Sequence, residues 1–419
     1  MEAELRLGAR LTAQWTILWA MAARGDALAR LLSPPWRSDP YPIYAKLRSG
    51  GGVHRSPVGL TTIATHELCS KVLRDRRFGV RSTDGVNPPP FAASPLPSEV
   101  AMVPSFLEMD PPDHTRLRTL ARPAFSPSEI ACYRANVKKA THENLDRALA
   151  LGTFDLMAEF ATPLPIRVIS DLLGIPGVDA PTFARYGRVL AASLDGIKSV
   201  RHARALRTAN REMRALFTRL IAERRREPGP DVISGMLAAD PDGTISETDL
   251  ATTCELLLVA GFETTTNLIG NAVWAFARNP EQWDRLCADP GLAGAGVDEV
   301  LRYLPPVRLN SRFAHEDTEI GGVPLAKDTM VVVAIGAANR DPAVFTRPDE
   351  FDIGRPNRGD HLAFSSGIHY CLGAPLARLE GELALTALAE ALPRLRLAGT
   401  PRRRPTVVIG GFRSLPVRA

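Results

Sequence analysis

Lysine is scarce in this chain: it supplies only 6 of the 51 basic residues, and arginine the other 45. Arginine stays charged at every relevant pH, yet the formal net charge is only +5 over 419 residues. That excess is too small for a nucleic-acid-binding protein. Aromatic residues make up 6% of the sequence, too few for the stacking platforms of single-strand binding. There are five cysteines, Cys69, Cys132, Cys254, Cys287 and Cys371. Their odd number, wide spacing and lack of a C-x-x-C pair exclude a disulfide framework and a zinc site. A reducing, cytoplasmic setting is the expected one. No apolar run approaches the roughly 20 residues that cross a bilayer. No internal repeat or long flexible linker divides the chain.

What is present is an ordinary globular balance, 45% hydrophobic and 23% charged residues. A chain this long buries a large core without covalent staples. The expectation is one large domain, mainly α with a minor β part. It would span residues 36–419 and follow an N-terminal helical extension over residues 1–35. In that extension Leu7, Leu11, Trp15, Leu18 and Ala22 recur at helical spacing, which predicts a helix docked on the body. Ala20-Met21-Ala22 also resembles a signal-peptidase site. Membrane contact is expected to be at most peripheral, because the polar face carries few charges.

Ser246-Glu247-Thr248-Asp249 reads as a capping box, and no proline follows until Pro280. A helix of about 30 residues is predicted there, roughly 45 Å long. Strands are expected over 319–323 and 330–335, a helix over 373–392, and strands and turns over 395–417. The proline-rich segment 84–105 lacks periodicity, and a loop of that length is usually functional.

The strongest chemical signal is Phe364-Ser-Ser-Gly367-Ile-His369-Tyr-Cys371-Leu-Gly373. One cysteine sits in a glycine-bearing loop directly before a helix, whose free N–H groups and dipole favour a thiolate. An isolated cysteine is more often a buried structural residue. Here five positions are fixed together, which chance produces on the order of once in a million starts at about 5% usage per residue type. In this loop the sequence resembles the cytochrome P450 family. The resemblance implies that Cys371 is the proximal thiolate ligand of a haem iron, with Phe364, His369 and Gly373 beside the cofactor.

Other patterns join it. Glu299-x-x-Arg302 places two charges on one helix face. Alone this is usually a surface pair, but the resemblance makes it a buried structural brace with Arg355 as third member. Ala260-Gly261-Phe262-Glu263-Thr264-Thr265 lies mid-helix, where glycine costs about 1 kcal/mol relative to alanine and a carboxylate needs a partner. The resemblance implies that Ala260 and Gly261 border the distal face of the haem and that Glu263 and Thr264 relay protons. A threonine inside a helix can also bond a carbonyl one turn back. His114 and Arg118 are four residues apart on one helix face, and with Arg312 and His369 they match donors for haem propionates. Arg116 is left between that role and the proximal surface.

The implied fold is a single P450-like domain, with haem b (iron protoporphyrin IX) held between a long distal helix and the proximal cysteine loop and helix. The implied activity is that of a soluble, bacterial-type oxidoreductase, a monooxygenase. It would insert one oxygen atom from O2 into a C–H or C=C bond of an apolar small molecule such as a steroid, terpenoid, lipid or polyketide-derived compound. No flavin or ferredoxin motif is present, so electrons are expected from a separate ferredoxin and its NAD(P)H-linked reductase. Arg74, Arg76, Arg77, Arg116 and Arg378 are candidates for the docking face. Substrate is expected to meet the 84–105 loop, residues 183–197, Ala260, residues 307–309 and Phe412, with Arg308 a candidate for a substrate carboxylate. The rival readings are a peroxide-driven peroxygenase and a haem-bearing sensor without turnover.

Overall fold

In a computed structural model, residues 2–57, 59–84, 104–177 and 179–418 are described. The elements that position the site are eight helices. They are α1 (Glu2–Ala23), α2 (Asp113–Ala121), α3 (Pro163–Leu172), α4 (Ala180–Ser193), α5 (Val200–Arg226), α6 (Glu247–Arg278), α7 (Ala293–Tyr303) and α8 (Ala374–Ala391). The minor β part includes strands β1 (Val53–Arg55), β2 (Thr61–Ile63), β3 (Phe78–Gly79), β4 (Asn310–Ala314) and β5 (Met330–Val333), and a hairpin of β6 (Arg402–Arg403) and β7 (Phe412–Ser414). The first five form one sheet in the order β1-β2-β5-β4-β3. Strands β2 and β5 run parallel and the other neighbours antiparallel.

Helix α6 is 32 residues long and begins where expected. The Ser246 hydroxyl accepts the Asp249 N–H at 3.0 Å, satisfying one of the donors that a helix start leaves open. It ends two residues before Pro280, which disfavours helical backbone in the residue preceding it. It touches α3, α4, α5, α7 and α8, so it is the central beam of the fold. Residues 319–323, expected as one strand, form instead the tip of a hairpin between Thr318–Ile320 and Val323–Leu325. Gly321 and Gly322 both have positive φ, 57° and 78°, the pair that a tight two-residue turn requires.

The brace behind the site is fully formed. Arg302 donates to both Glu299 oxygens at 2.8 Å, and both side chains are completely buried. Arg355 donates to the same carboxylate at 3.3 Å. The remaining guanidinium N–H groups of Arg302 go to the carbonyls of Asn339, Pro348 and Glu350. A buried ion pair is tolerable only when its spare donors are satisfied in this way. The result clamps residues 346–355 onto α7, which in turn lies against α8.

The N-terminal stretch shares the main body's cores. Leu7 and Leu11 of α1 pack on the largest apolar cluster. Leu18 packs on a second cluster that joins Leu28 and Leu31 to Tyr44, Ala191, Leu309 and residues 407–409. No helix among the described residues is long and apolar enough to cross a membrane.

Candidate active site

Cys371 stands in a loop made tight by backbone that few residues adopt. Ser365 and Gly367 both have positive φ, 62° and 68°. A Cβ on Gly367 would lie 2.4 Å from the carbonyl oxygen of Leu73, so only glycine lets the loop rest there. The Cys371 N–H donates to the Phe364 carbonyl at 2.8 Å, closing the loop just before α8. Burial pushes the Cys371 thiol up; the N–H groups of Gly373 and Ala374 and the guanidiniums of Arg118 and Arg378 act the other way. Gly373 has no protein atom within 4 Å of where its Cβ would stand, so its backbone can be approached closely.

Beside the loop lies a group of donors without acceptors. His114 is buried, and neither ring nitrogen has a hydrogen-bond partner. Its ring centroid is 4.3 Å from that of His369, whose buried Nε2 is also unpartnered. Arg312, on β4, is buried; its Nη1 binds the Asn310 side chain at 2.9 Å and the Ser311 carbonyl at 2.8 Å, while Nη2 has no partner. Arg118 reaches the Tyr370 carbonyl. Burial lowers all four pKa values, Arg312 to about 10 and His369 to about 3, the latter also repelled by Arg312, His114 and Arg118. Buried donors normally have partners, so the open nitrogens of His114, His369 and Arg312, with Arg118 beside them, suit an anionic group.

Helix α6 is buried almost throughout, but its middle is not. Ala260 is exposed, and Val259, Gly261 and Thr264 are half-buried. Ala260 and Thr264 lie one turn apart on one face. The Thr264 hydroxyl donates to the Ala260 carbonyl at 2.8 Å, and Thr265 does the same to Gly261 at 3.0 Å. Glu263 points elsewhere: its buried carboxylate accepts from Arg404 Nη1 of the C-terminal hairpin. Burial raises its pKa, with Arg404 and then Arg188 of α4 opposing.

The description "Cytochrome P450" matches residues 292–393. The monooxygenase PikC of Streptomyces venezuelae is 37% identical over 400 residues, covering 92% of this chain and 92% of PikC. The chain belongs to the cytochrome P450 family. Among solved structures, Mycobacterium smegmatis CYP164A2 is 38% identical, with a TM-score of 0.84 over 94% of this chain and 99% of that one. P450BioI is 34% identical, with a TM-score of 0.83 over 91% and 98%. This P450 is therefore a haem-thiolate monooxygenase, and haem is the group against which the site must be measured.

The residues fit that group. A half-buried thiol faces cationic and amide donors, and the unpartnered nitrogens of His114, His369 and Arg312 answer an acidic, partly apolar macrocycle. Several residues sit differently from a reading of sequence alone. Gly261 packs against α3: a Cβ there would lie 2.8 Å from Ile169. Glu263 is not hydrogen-bonded to Thr264 but to Arg404. Arg378 is bound to Asp298 at 2.9 Å and stacked over Phe364, and Arg116 faces Asp113 and Asp249. Arg308 lies against the Gly410 backbone, where a Cβ would come within 1.8 Å of its Nε. Val307 pairs with Ile409, so strand alternation turns Arg308 to the opposite face from Val307. Most of the 84–105 loop, residues 85–103, lies outside the described residues. Asn310, Arg404 and Gly187 of α4, where a Cβ would lie 2.9 Å from Glu263 Oε2, are additions; only the Arg402-Arg403-Arg404 run hinted at one of them.

Proposed function

We propose that Cys371 is the axial thiolate ligand of haem b, whose propionates are held by His114, Arg118, Arg312 and His369, and that the enzyme hydroxylates or epoxidises an apolar small molecule. The observation that carries this reading is the set of buried, unpartnered donors beside a cysteine loop that opens a helix. Haem supplies oxygen activation, and thiolate ligation favours O–O cleavage. The chain supplies the rest. Phe364 and Gly373 flank the ligand, and Ala260, exposed in the middle of α6, leaves that face free of bulk. Thr264, with its hydroxyl on the accessible stripe, positions a proton donor there. Glu263 is the buried acid that feeds it through rearrangement of its Arg404 contact. Residues 183–197, Val307, Leu309 and Phe412 form the apolar surround. P450BioI has been solved with a fatty acid carried on acyl carrier protein, which favours a long apolar substrate here also.

The test is the absorbance difference spectrum of the reduced protein with and without carbon monoxide. A red-shifted thiolate-type band is expected, followed by product formation when ferredoxin, reductase and NAD(P)H are supplied. A preparation that binds no haem overturns the reading. A thiolate-type band without NAD(P)H-driven turnover favours the sensor, and turnover with peroxide alone favours the peroxygenase.

The electron donor is a small acidic ferredoxin, by charge complementarity. Ile368 and Tyr370 are 46% and 42% exposed on either side of His369, and Arg74, Arg76, Arg77 and Arg122 are exposed. Arg74 touches the loop itself, donating to Ser366 at 2.7 Å. Arg77, Arg116 and Arg378 contribute less, being held by Asp75, by Asp113 and Asp249, and by Asp298. Raising salt from low to physiological strength is expected to slow reduction about tenfold, because steering is screened. A reduction rate indifferent to salt removes this surface from consideration.

A further inference from the structure

Helix α1 has two faces. Leu7, Leu11 and Leu18 face inward onto the two main clusters. The outer side carries Leu5, with Ile17 and Trp19 at its two opposite edges; they are 68%, 58% and 60% exposed. Among the described residues only seven large hydrophobic side chains are so exposed, and three are on this helix. The positions between them are Ala9, Thr12, Ala13 and Thr16, all exposed and uncharged.

Among the described residues, arginine dominates the charge around this face. Arg6, Arg10 and Arg24 are exposed on α1 or just beyond its end. Glu4 is engaged by Arg204 at 2.6 Å and faces Arg207 at 3.7 Å, both on α5. Helix α5 holds nine arginines against two glutamates, and Arg201, Arg204 and Arg211 are exposed. Gly8 of α1 lies against Val200 at the start of α5, so the arginine row and the apolar face adjoin. An acidic soluble protein would meet the arginines but give Leu5, Ile17 and Trp19 no apolar medium. A bilayer bearing anionic lipid gives both: an acyl boundary for the apolar side chains and negative headgroups for the arginines. The helix is bound along the body by its inner face, so it lies in the plane of such a surface.

We propose that the outer face of α1, with the arginines of α5, docks this protein on an anionic lipid surface. Behind the contact, Leu18 shares a cluster with Ala191 of α4 and with residues 407–409. The proposal does not depend on the haem chemistry, and neither does its test.

The full chain is sedimented with vesicles of phosphatidylcholine alone and of phosphatidylcholine mixed with phosphatidylglycerol. Binding is expected to the mixed vesicles only, to weaken in high salt, and to be accompanied by a blue shift in tryptophan emission that Trp19→Phe diminishes. The double variant Ile17→Ser, Trp19→Ser changes only exposed positions and is expected to bind at least about tenfold more weakly, from the apolar area it removes. Failure to bind mixed vesicles overturns the proposal, as does equal binding by the double variant. A wild-type dimer in solution that the double variant dissolves would instead assign the face to a second copy of the chain.

Discussion

Replacing Cys371 by histidine is expected to abolish the thiolate-type carbon monoxide band entirely, while leaving a haem-binding, folded protein. The five cysteines differ sharply in their surroundings. Cys69 and Cys254 are buried, and desolvation holds their thiols far above the ordinary range. Cys287 is also pushed up by burial and by the nearby Asp284, and Cys132 is an exposed residue donating to the Ser128 carbonyl. Cys371 is half-buried, and although desolvation raises its thiol, two backbone amides and two guanidiniums favour its anion. A metal that displaces the proton therefore finds a prepared counter-charge only there. The imidazole of a Cys371→His variant can still reach an iron, so the spectrum should move to the histidine-ligated type. Monooxygenase turnover is expected to fall at least about 100-fold, because the electron push of the thiolate is lost. A Cys69→Ser or Cys254→Ser variant should keep the original band. Persistence of that band in Cys371→His would place the ligand on another residue.

The parts of this fold legible in the sequence are those written in short, fixed spacings. The cysteine loop spans ten residues, Glu299 and Arg302 are three apart, and the long helix is announced by its cap and by the distance to the next proline. Each places its residues by local geometry, so sequence separation does little harm. Gly321-Gly322 was equally local, and the two glycines mark a turn that hydropathy alone hides. What stayed hidden depends on distant partners. Glu263 and Arg404 are 141 residues apart, and nothing near either predicts the other. Glycine carries the same ambiguity: the need for small residues at 187 and 261 is visible only once the Phe262 ring and Ile169 are seen beside them. Arginines are hardest to read in a chain with so many of them. Arg312, Arg355 and Arg404 are built into the interior, whereas Arg74 and Arg76 are at the surface, and their flanking sequences do not tell them apart.

Removing Arg404 is expected to destabilise the protein in a way that grows as pH rises. The side chains of Glu263 and Arg404 are only 5% and 11% exposed, so Arg404→Met leaves a buried carboxylate without its nearest counter-charge. Breaking such a pair costs about 3–5 kcal/mol if the remaining charge must persist. Glu263 can avoid part of that by holding a proton. Burial already raises its pKa, and Arg404 is the first of the two groups that oppose the rise, Arg188 being the second. Without Arg404 the folded-state pKa moves higher still, while the unfolded value stays near about 4.3. An acid whose folded pKa exceeds its unfolded one contributes stability that is present at low pH and lost as pH rises through the folded pKa. The deficit of Arg404→Met should therefore be smallest near the unfolded pKa, widen upward from there, and level off above the new folded value. Thermal melts of the wild type, Arg404→Met, Glu263→Gln and the double variant over that range provide the check. In the Glu263→Gln background the Arg404 substitution should cost nearly the same at every pH, because the titrating group is gone. A deficit that is flat with pH in the single variant would mean that Glu263 keeps its charge by another route, with Arg188 of α4 the nearest candidate. In turnover, Glu263→Gln should lower the rate by about 100-fold as a lost proton donor does, and leave substrate-induced spectral binding unchanged. Arg404→Met should fall between that variant and the wild type, since it moves the acid without deleting it.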